Sequence, residues 1–227
     1  MKDNHLLLSV AVLGGTGKQG KGLAYRWAQA GYHVLIGSRE EESANNTANE
    51  LKEILGDGVS VAGVSNSQAA KEADIVVMSV PYSAHRSTLE SVKDNVQGKI
   101  LVDVTVPLVP PKVSKVQMPS AGSAAQEAKE ILGDGVEVCA AFQNISYEYL
   151  MTDDEVACDV LVTGTSKEAR EETLKLVQAA GMIGWDAGPI ENSVVVEGMT
   201  SVLIGINKKY GSTHAGIKIT GATHNNL

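Results

Sequence analysis

Residues 10–39, VAVLGGTGKQGKGLAYRWAQAGYHVLIGSR, run from an apolar segment through a glycine-rich turn and a helical pattern into a second apolar segment ending in Ser38 and Arg39. The glycines fall as Gly15-x-Gly17-x-x-Gly20. At this spacing the first serves a tight turn, the second lets backbone approach a pyrophosphate, and the third allows close packing of helix on strand. The flanks agree, with an apolar run from Leu6 to Leu13 before the turn and Leu23, Ala24, Trp27 and Ala28 at helical spacing after it. Gly15, Thr16, Gly17, Lys18, Gln19 and Gly20 are therefore the candidate phosphate turn, where backbone N–H groups at a helix start hold the anion. A turn that merely joins strand to helix leaves Ser38 and Arg39 unexplained. An acidic residue at the end of the second strand selects NAD. Here Arg39 offers a planar donor fork and Ser38 a hydroxyl, which suit the 2′-phosphate of NADP.

Outward from this unit the pattern keeps alternating. Strands are expected at 6–13, 33–37, 59–63, 75–80, 99–104 and 136–141, with helices at 19–30, 40–55, 67–73, 83–96 and 123–132. Such alternation implies an α/β fold with a doubly wound parallel sheet. Gly31, Gly56 and Gly133 mark helix ends. KEILGDGV occurs twice, at 52–59 and 129–136, each time where a helix gives way to a strand, and is read as repeated turn chemistry rather than duplication. We assign residues 1–141 to the NADP-binding domain. Residues 142–227 form a small C-terminal α/β extension completing the substrate cleft, with strands at 159–163 and near 182–186 and helices at 166–180 and near 192–206. The extension is too short to enclose a substrate as a long helical domain would, so a shallow, open cleft is expected.

The 227 residues are 43% apolar and carry a net charge of −8, which argues against a nucleic-acid surface and for an ordinary globular chain. Lys18, Lys21, Arg26 and Arg39 gather near the proposed phosphate site instead. No run reaches the roughly 18 apolar residues of a membrane helix. Cys139 and Cys158 lack metal-ligand spacing and are expected as buried, reduced thiols in a cytoplasmic protein.

Ligands of such sheets bind beyond the carboxyl ends of the strands. Three edges stand out there: Ser79-Val80-Pro81-Tyr82, Asp103-Val104-Thr105-Val106-Pro107, and Phe142-Gln143-Asn144-Ile145. His85 is either a half-exposed helix residue or a catalytic acid. No Tyr-x-x-x-Lys pair, Ser-His-Asp order or metal-spaced acidic cluster is present. Ketone reduction needs a proton donor beside the hydride, whereas transfer between two redox cofactors is mostly a matter of positioning. No side chain is therefore assigned a catalytic role, and no metal is expected. The apolar residues of the last helix, Val194, Val195, Val196, Met199, Val202, Leu203 and Ile206, pack in the core or pair two subunits, and a homodimer is expected.

GGTGKQGKGLA, GSR, VPY, AFQNI, DAGPIENS and HAGIKIT, in that order, resemble the NADPH-dependent reductases of the deazaflavin coenzyme F420 over nearly the whole chain. The resemblance implies an oxidoreductase that moves a hydride reversibly between nicotinamide C4 and deazaflavin C5, with small-molecule coenzymes as its partners. It places Thr16, Gly17, Lys18 and Gln19 at the pyrophosphate, and Ser38 and Arg39 at the 2′-phosphate. Val80, Pro81, Tyr82, Arg86, Val106 and Tyr147 would border the nicotinamide end, and Gln143, Ile145 and Ala215 the deazaflavin. A basic residue that the family can place four positions beyond the arginine is Ser43 here, which leaves one cation fewer on the 2′-phosphate. A histidine sometimes found in the sixth-strand turn is Gln143, which hydrogen-bonds without carrying charge. A reductase of another acceptor (flavin, imine, small ketone or metal chelate) and a non-enzymatic NADP sensor are the alternatives.

Overall fold

The computed structural model describes residues 8–56, 58–152 and 155–223. The part of the expected first strand before Leu8 lies outside them.

Strands β1 (Val10–Leu13), β2 (Val34–Ser38), β3 (Val61–Ser65), β4 (Ile75–Met78), β5 (Ile100–Asp103) and β6 (Glu137–Ala140) alternate with helices α1 (Lys18–Gln29), α2 (Glu41–Leu55), α3 (Asn66–Glu72), α4 (Tyr82–Val92) and α5 (Ala124–Leu132). They are followed by β7 (Asp159–Gly164), α6 (Lys167–Ala179), β8 (Ile183–Pro189) and α7 (Ser193–Tyr210). All eight strands belong to one sheet in the order β3-β2-β1-β4-β5-β6-β7-β8. Residues 142–227 thus add β7 and β8 to the edge that ends in β6.

The pairing is parallel except between β6 and β7, which run antiparallel. The doubly wound parallel sheet expected of the first six strands is present, and the reversal falls where the C-terminal region joins it. Each earlier connection carries a crossover helix that returns the chain to the starting end of the sheet. Among the described residues the link from β6 to β7 holds only a 3-10 turn, at Tyr147–Tyr149. It folds across the end of the sheet, so β7 enters from the opposite side.

Side chains alternate along the strands and build a core on each face of the sheet. Val10 and Val12 of β1 face α1, α2 and α6, packing with Leu23, Trp27, Leu51 and Leu176. Ala11 and Leu13 face α3, α4 and α5, packing with Ala70, Leu89 and Leu132. Each buried large aliphatic side chain contributes about 1.5–3 kcal/mol over its exposed state. Helices α3, α5 and α6 start where Ser65, Ser123 and Ser166 accept a backbone N–H three residues on. Gly31, Gly56 and Gly133 all take positive φ at helix ends, as expected. Both cysteines are buried and unpaired.

Candidate functional site

The carboxyl ends of β1, β4, β5 and β6 open onto one cavity of about 750 Å3, lined also by α7 and the loop after β5. The shallow, open cleft expected from the short C-terminal region is a half-open pocket. Leu108, Pro110 and Val113 on one side and Thr200, Leu203, Ile204 and Asn207 on the other supply walls that a longer helical domain supplies elsewhere.

The glycine-rich turn forms one end. Its left-handed residue is Gly14, at φ +76°, one position ahead of the motif's first glycine. A Cβ there would lie 2.5 Å from the Ser79 carbonyl oxygen at the end of β4, so only glycine lets turn and strand meet. At Gly20 a Cβ would come within 2.9 Å of the Gly14 carbonyl oxygen, the close helix-to-turn packing the spacing implied. Gly17 caps α1 without a side chain, and the first turn of α1 holds no acidic residue. The positive end of the helix therefore meets no carboxylate of its own and is ready for a phosphate.

Gly17, Lys18, Gln19 and Gly20 line the cavity, whereas Gly15 and Thr16 form the turn behind them. Gly14 and Gly15 both donate to the Gly37 carbonyl, which fixes the end of β2 beside the turn. Ser38 is buried there, its hydroxyl accepting from the Glu40 amide at 3.2 Å. Arg39 is exposed and makes no ion pair among the described residues, so its donor fork is free. Ser43 lies exposed on the first turns of α2. These three sit beyond the cavity, on the phosphate-turn side. Two other cations of the expected phosphate cluster are engaged elsewhere. Arg26 is buried and donates to the carbonyls of Tyr149, Leu150 and Thr152, and Lys21 pairs with Glu50 at 2.7 Å.

Val80, Pro81 and Tyr82 follow β4, and Val106 follows β5, all on the cavity wall. The Tyr82 hydroxyl donates to Glu127 at 3.1 Å; burial first, and that carboxylate second, push its pKa up to about 12. Arg86 does not reach the cavity. Its guanidinium clasps Glu127 at 2.7 Å on the outer side of α4 and α5. Tyr147 lies at the rim, with Lys18 Nζ 4.7 Å above its ring.

Gln143, Ile145 and Ala215 also line the cavity, and the Gln19 side-chain amide reaches the Phe142 carbonyl at 3.4 Å. Gln143 is aimed by strain next to it: Phe142 has φ +69°, a conformation that costs a bulky residue of order 1–3 kcal/mol. Burial and an edge-on contact with Trp27, ring centroids 5.8 Å apart, hold Phe142 there. The Gln143 side-chain amide donates to the Asp103 carbonyl at 2.7 Å, which leaves its Oε1 buried with no partner. A buried orphan acceptor on a cavity wall fits a ring N–H. The residues thus fit a nucleotide phosphate, by the Gly20 cradle and the bare helix start, and a polar-edged ring beside Gln143.

Behind the wall lies a polar cluster that the sequence did not disclose. His85 is fully buried and forms a 2.6 Å ion pair with Asp103. It is neither the half-exposed residue nor the cavity-facing acid weighed for it, and it does not line the cavity. Burial lowers the His85 pKa, but the charge and hydrogen bond of Asp103, aided by Glu127 and Glu197, outweigh it and raise the pKa overall. Asp103 also accepts from the Thr105 amide at 2.9 Å, fixing the turn into the cavity. Glu197 of α7 caps α5, accepting from the amides of Ala124 and Ala125 at 2.7 and 3.1 Å. Its burial and the nearby Asp103 push its pKa up to about 8 against the pull of those bonds.

Thr105, named with its strand edge, lies on the cavity wall, and Thr200 and Asn207 add polar lining that was missed. The spacing of Thr200 and Asn207, seven apart on one helix, was the available signal, hidden within an otherwise apolar pattern.

Residues 9–107 match the profile of a family described as NADP oxidoreductase, coenzyme F420-dependent. The chain is 39% identical over 221 residues to the F420-dependent NADP reductase of Methanocaldococcus jannaschii, covering 94% of this chain and 98% of that one. With the protein of the same description from Methanothermobacter marburgensis it shares 41% over 221 residues, again 94% and 98% of the two chains. A crystal structure from Arthrobacter sp. superposes with a TM-score of 0.79 over 94% of this chain and all of the other, at 24% identity, and shows the same fold.

Proposed function

Because the chain belongs to the family of F420-dependent NADP reductases, we propose that its cavity holds the nicotinamide of NADP against the deazaflavin of coenzyme F420 for direct hydride transfer. The protein is an NADP-dependent oxidoreductase, with NADP and F420 as its two redox coenzymes. The observation that carries the arrangement is the continuity of one cavity from the phosphate turn to Gln143.

In this reading the start of α1 takes the pyrophosphate, and Ser38 and Arg39 take the 2′-phosphate. Val80, Pro81, Tyr82 and Val106 back the nicotinamide, and Tyr147 closes the rim. Gln143 accepts a hydrogen bond from the deazaflavin edge, with Ile145 and Ala215 along its face. Bound together, the two coenzymes supply the hydride and its acceptor; the chain binds, aligns and desolvates the rings. No side chain is assigned proton transfer, and the proton that the reduced deazaflavin takes up along with the hydride comes from solvent. Arg86 is left out of the cofactor contacts because Glu127 holds it outside the cavity, and Ser43 leaves Arg39 as the main cation on the 2′-phosphate.

Val195, Val202, Ile206 and Tyr210 form an exposed apolar stripe along α7, which supports a homodimer. Light scattering at micromolar concentration checks this, with a monomer as the contrary result. Two free, buried thiols accord with a cytoplasmic setting, and among the described residues no helix is long and apolar enough to cross a membrane.

The test mixes the protein with NADPH and oxidised coenzyme F420 and follows loss of the coenzyme's visible absorbance, with NADH and free flavin as controls. Rapid NADPH-dependent bleaching is expected. Tight NADPH binding without bleaching would overturn the reading.

A further inference from the structure

The charge of this chain is unevenly placed. Residues 104–123 and 198–223 contain Lys112, Lys115, Lys208, Lys209 and Lys218 and no Asp or Glu. All 27 acidic residues lie elsewhere, in a chain of net charge −8. These two segments are also the cavity's outer walls, through Pro110 and Val113 on one and Asn207 on the other.

The fold brings the two together. A Cβ built at Gly198 would meet Val116 at 3.3 Å, and one at Gly205 would meet Ser114 at 3.8 Å. The loop therefore runs antiparallel to α7, which carries Lys112 toward the end of the helix where Lys208 and Lys209 stand. Lys112, Lys115, Lys208 and Lys209 are all exposed, and none is paired with a carboxylate among the described residues, where Lys21, Lys129, Lys167 and Lys175 are.

We propose that Lys112, Lys115, Lys208 and Lys209 form a cationic strip beside the cavity that binds the anionic appendage of the acceptor coenzyme. The inference rests on the acceptor reading above. Coenzyme F420 carries a phosphodiester and glutamyl carboxylates on the arm of its deazaflavin. With the ring at Gln143, that arm leaves the cavity between the loop and α7. The strip is distinct from the 2′-phosphate site, because Arg39 follows β2, on the other side of β1 from β4, β5 and β6. Lysine suits an appendage of several mobile anions, since it is a point charge on a flexible stem rather than a geometric fork. An otherwise acidic surface repels such a ligand, so the strip also steers its approach.

The experiment compares the full coenzyme with a tail-less deazaflavin ending at the ribityl arm, in the wild type and in the K112A/K115A/K208A/K209A variant. At low ionic strength the wild type is expected to show a lower KM for the full coenzyme. The variant should raise that KM about tenfold, with the KM values for the tail-less compound and for NADPH unchanged. The difference should fade near 0.5 M salt, where the screening length falls to a few Å. Equal KM values for the two acceptors in the wild type, or a variant that shifts both equally, would overturn the strip and leave the acceptor reading standing. If neither deazaflavin is reduced, the acceptor reading falls, and the strip with it.

Discussion

Replacing His85 by Leu removes half of a buried ion pair and strands the other half. Asp103 and His85 are both fully buried and 2.6 Å apart. In the variant, Asp103 Oδ1 keeps the Thr105 amide at 2.9 Å, but Oδ2 has no donor. The His85 Nδ1, 3.7 Å from Glu127, is too distant for a hydrogen bond in the wild type, so the loss is concentrated on Asp103. Removing one member of such a pair costs about 3–5 kcal/mol, because a carboxylate stays in an apolar interior without compensation. For a chain of this size 1 kcal/mol moves Tm by roughly 2–4 °C, so a fall of about 6–20 °C is expected. Urea unfolding near pH 7, checked by calorimetry, measures it. His85→Leu/Asp103→Leu removes both charges and should be more stable than His85→Leu alone, giving a coupling that the double-mutant cycle reads directly. A loss below about 1 kcal/mol for His85→Leu, or strict additivity of the two substitutions, would refute the argument.

Arg39→Ala should lower kcat/KM for NADPH about 10–100-fold, the worth of charge-assisted bonds to a phosphate, and leave NADH turnover and Tm unchanged, since Arg39 is exposed. Equal losses with both nucleotides would remove it from the 2′-phosphate. Gln143→Ala should raise the KM for the deazaflavin by about tenfold and that for NADPH much less; titration calorimetry showing the reverse would put Gln143 on the other ring. The pKa of Glu197 is raised to about 8 in the fold from its ordinary 4.5. The folded protein therefore holds a proton that the unfolded chain releases, and this contribution to stability is lost as pH rises toward about 8. His85, also raised, acts in the same direction above 6.5. Thermal melts should fall from about pH 5 to about pH 8, with Glu197→Gln giving a flatter profile; a wild-type Tm that rises over this range would contradict it.

How far the sequence reached follows from what each signal depends on. The glycine turn and alternating strands are local, and β1 to β6 fell where periodicity put them. The reversal at β7 was not legible, because it goes with a link in which the described residues form no crossover helix, and a sequence without periodicity between 142 and 158 leaves the direction open. Gln143 was found by its place after β6. The conformation that aims it was not, since a positive φ at Phe142 is imposed by tertiary packing on Trp27 against the residue's own preference. His85 followed a helical pattern that gave no hint of Asp103, 18 residues on, as its partner. Arg86, adjacent in sequence, was carried to the cofactor by resemblance, although Glu127, 41 residues away, holds it outside the cavity.

The central claim is that one cavity aligns two rings for direct transfer, and the fate of a single hydrogen tests it. NADPH carrying two deuteriums at nicotinamide C4 is mixed with oxidised coenzyme F420 and the protein in ordinary water, and the reduced coenzyme is examined by mass spectrometry and NMR. The account predicts one deuterium on deazaflavin C5 in every turnover. Reduced coenzyme with solvent hydrogen at C5 would contradict it.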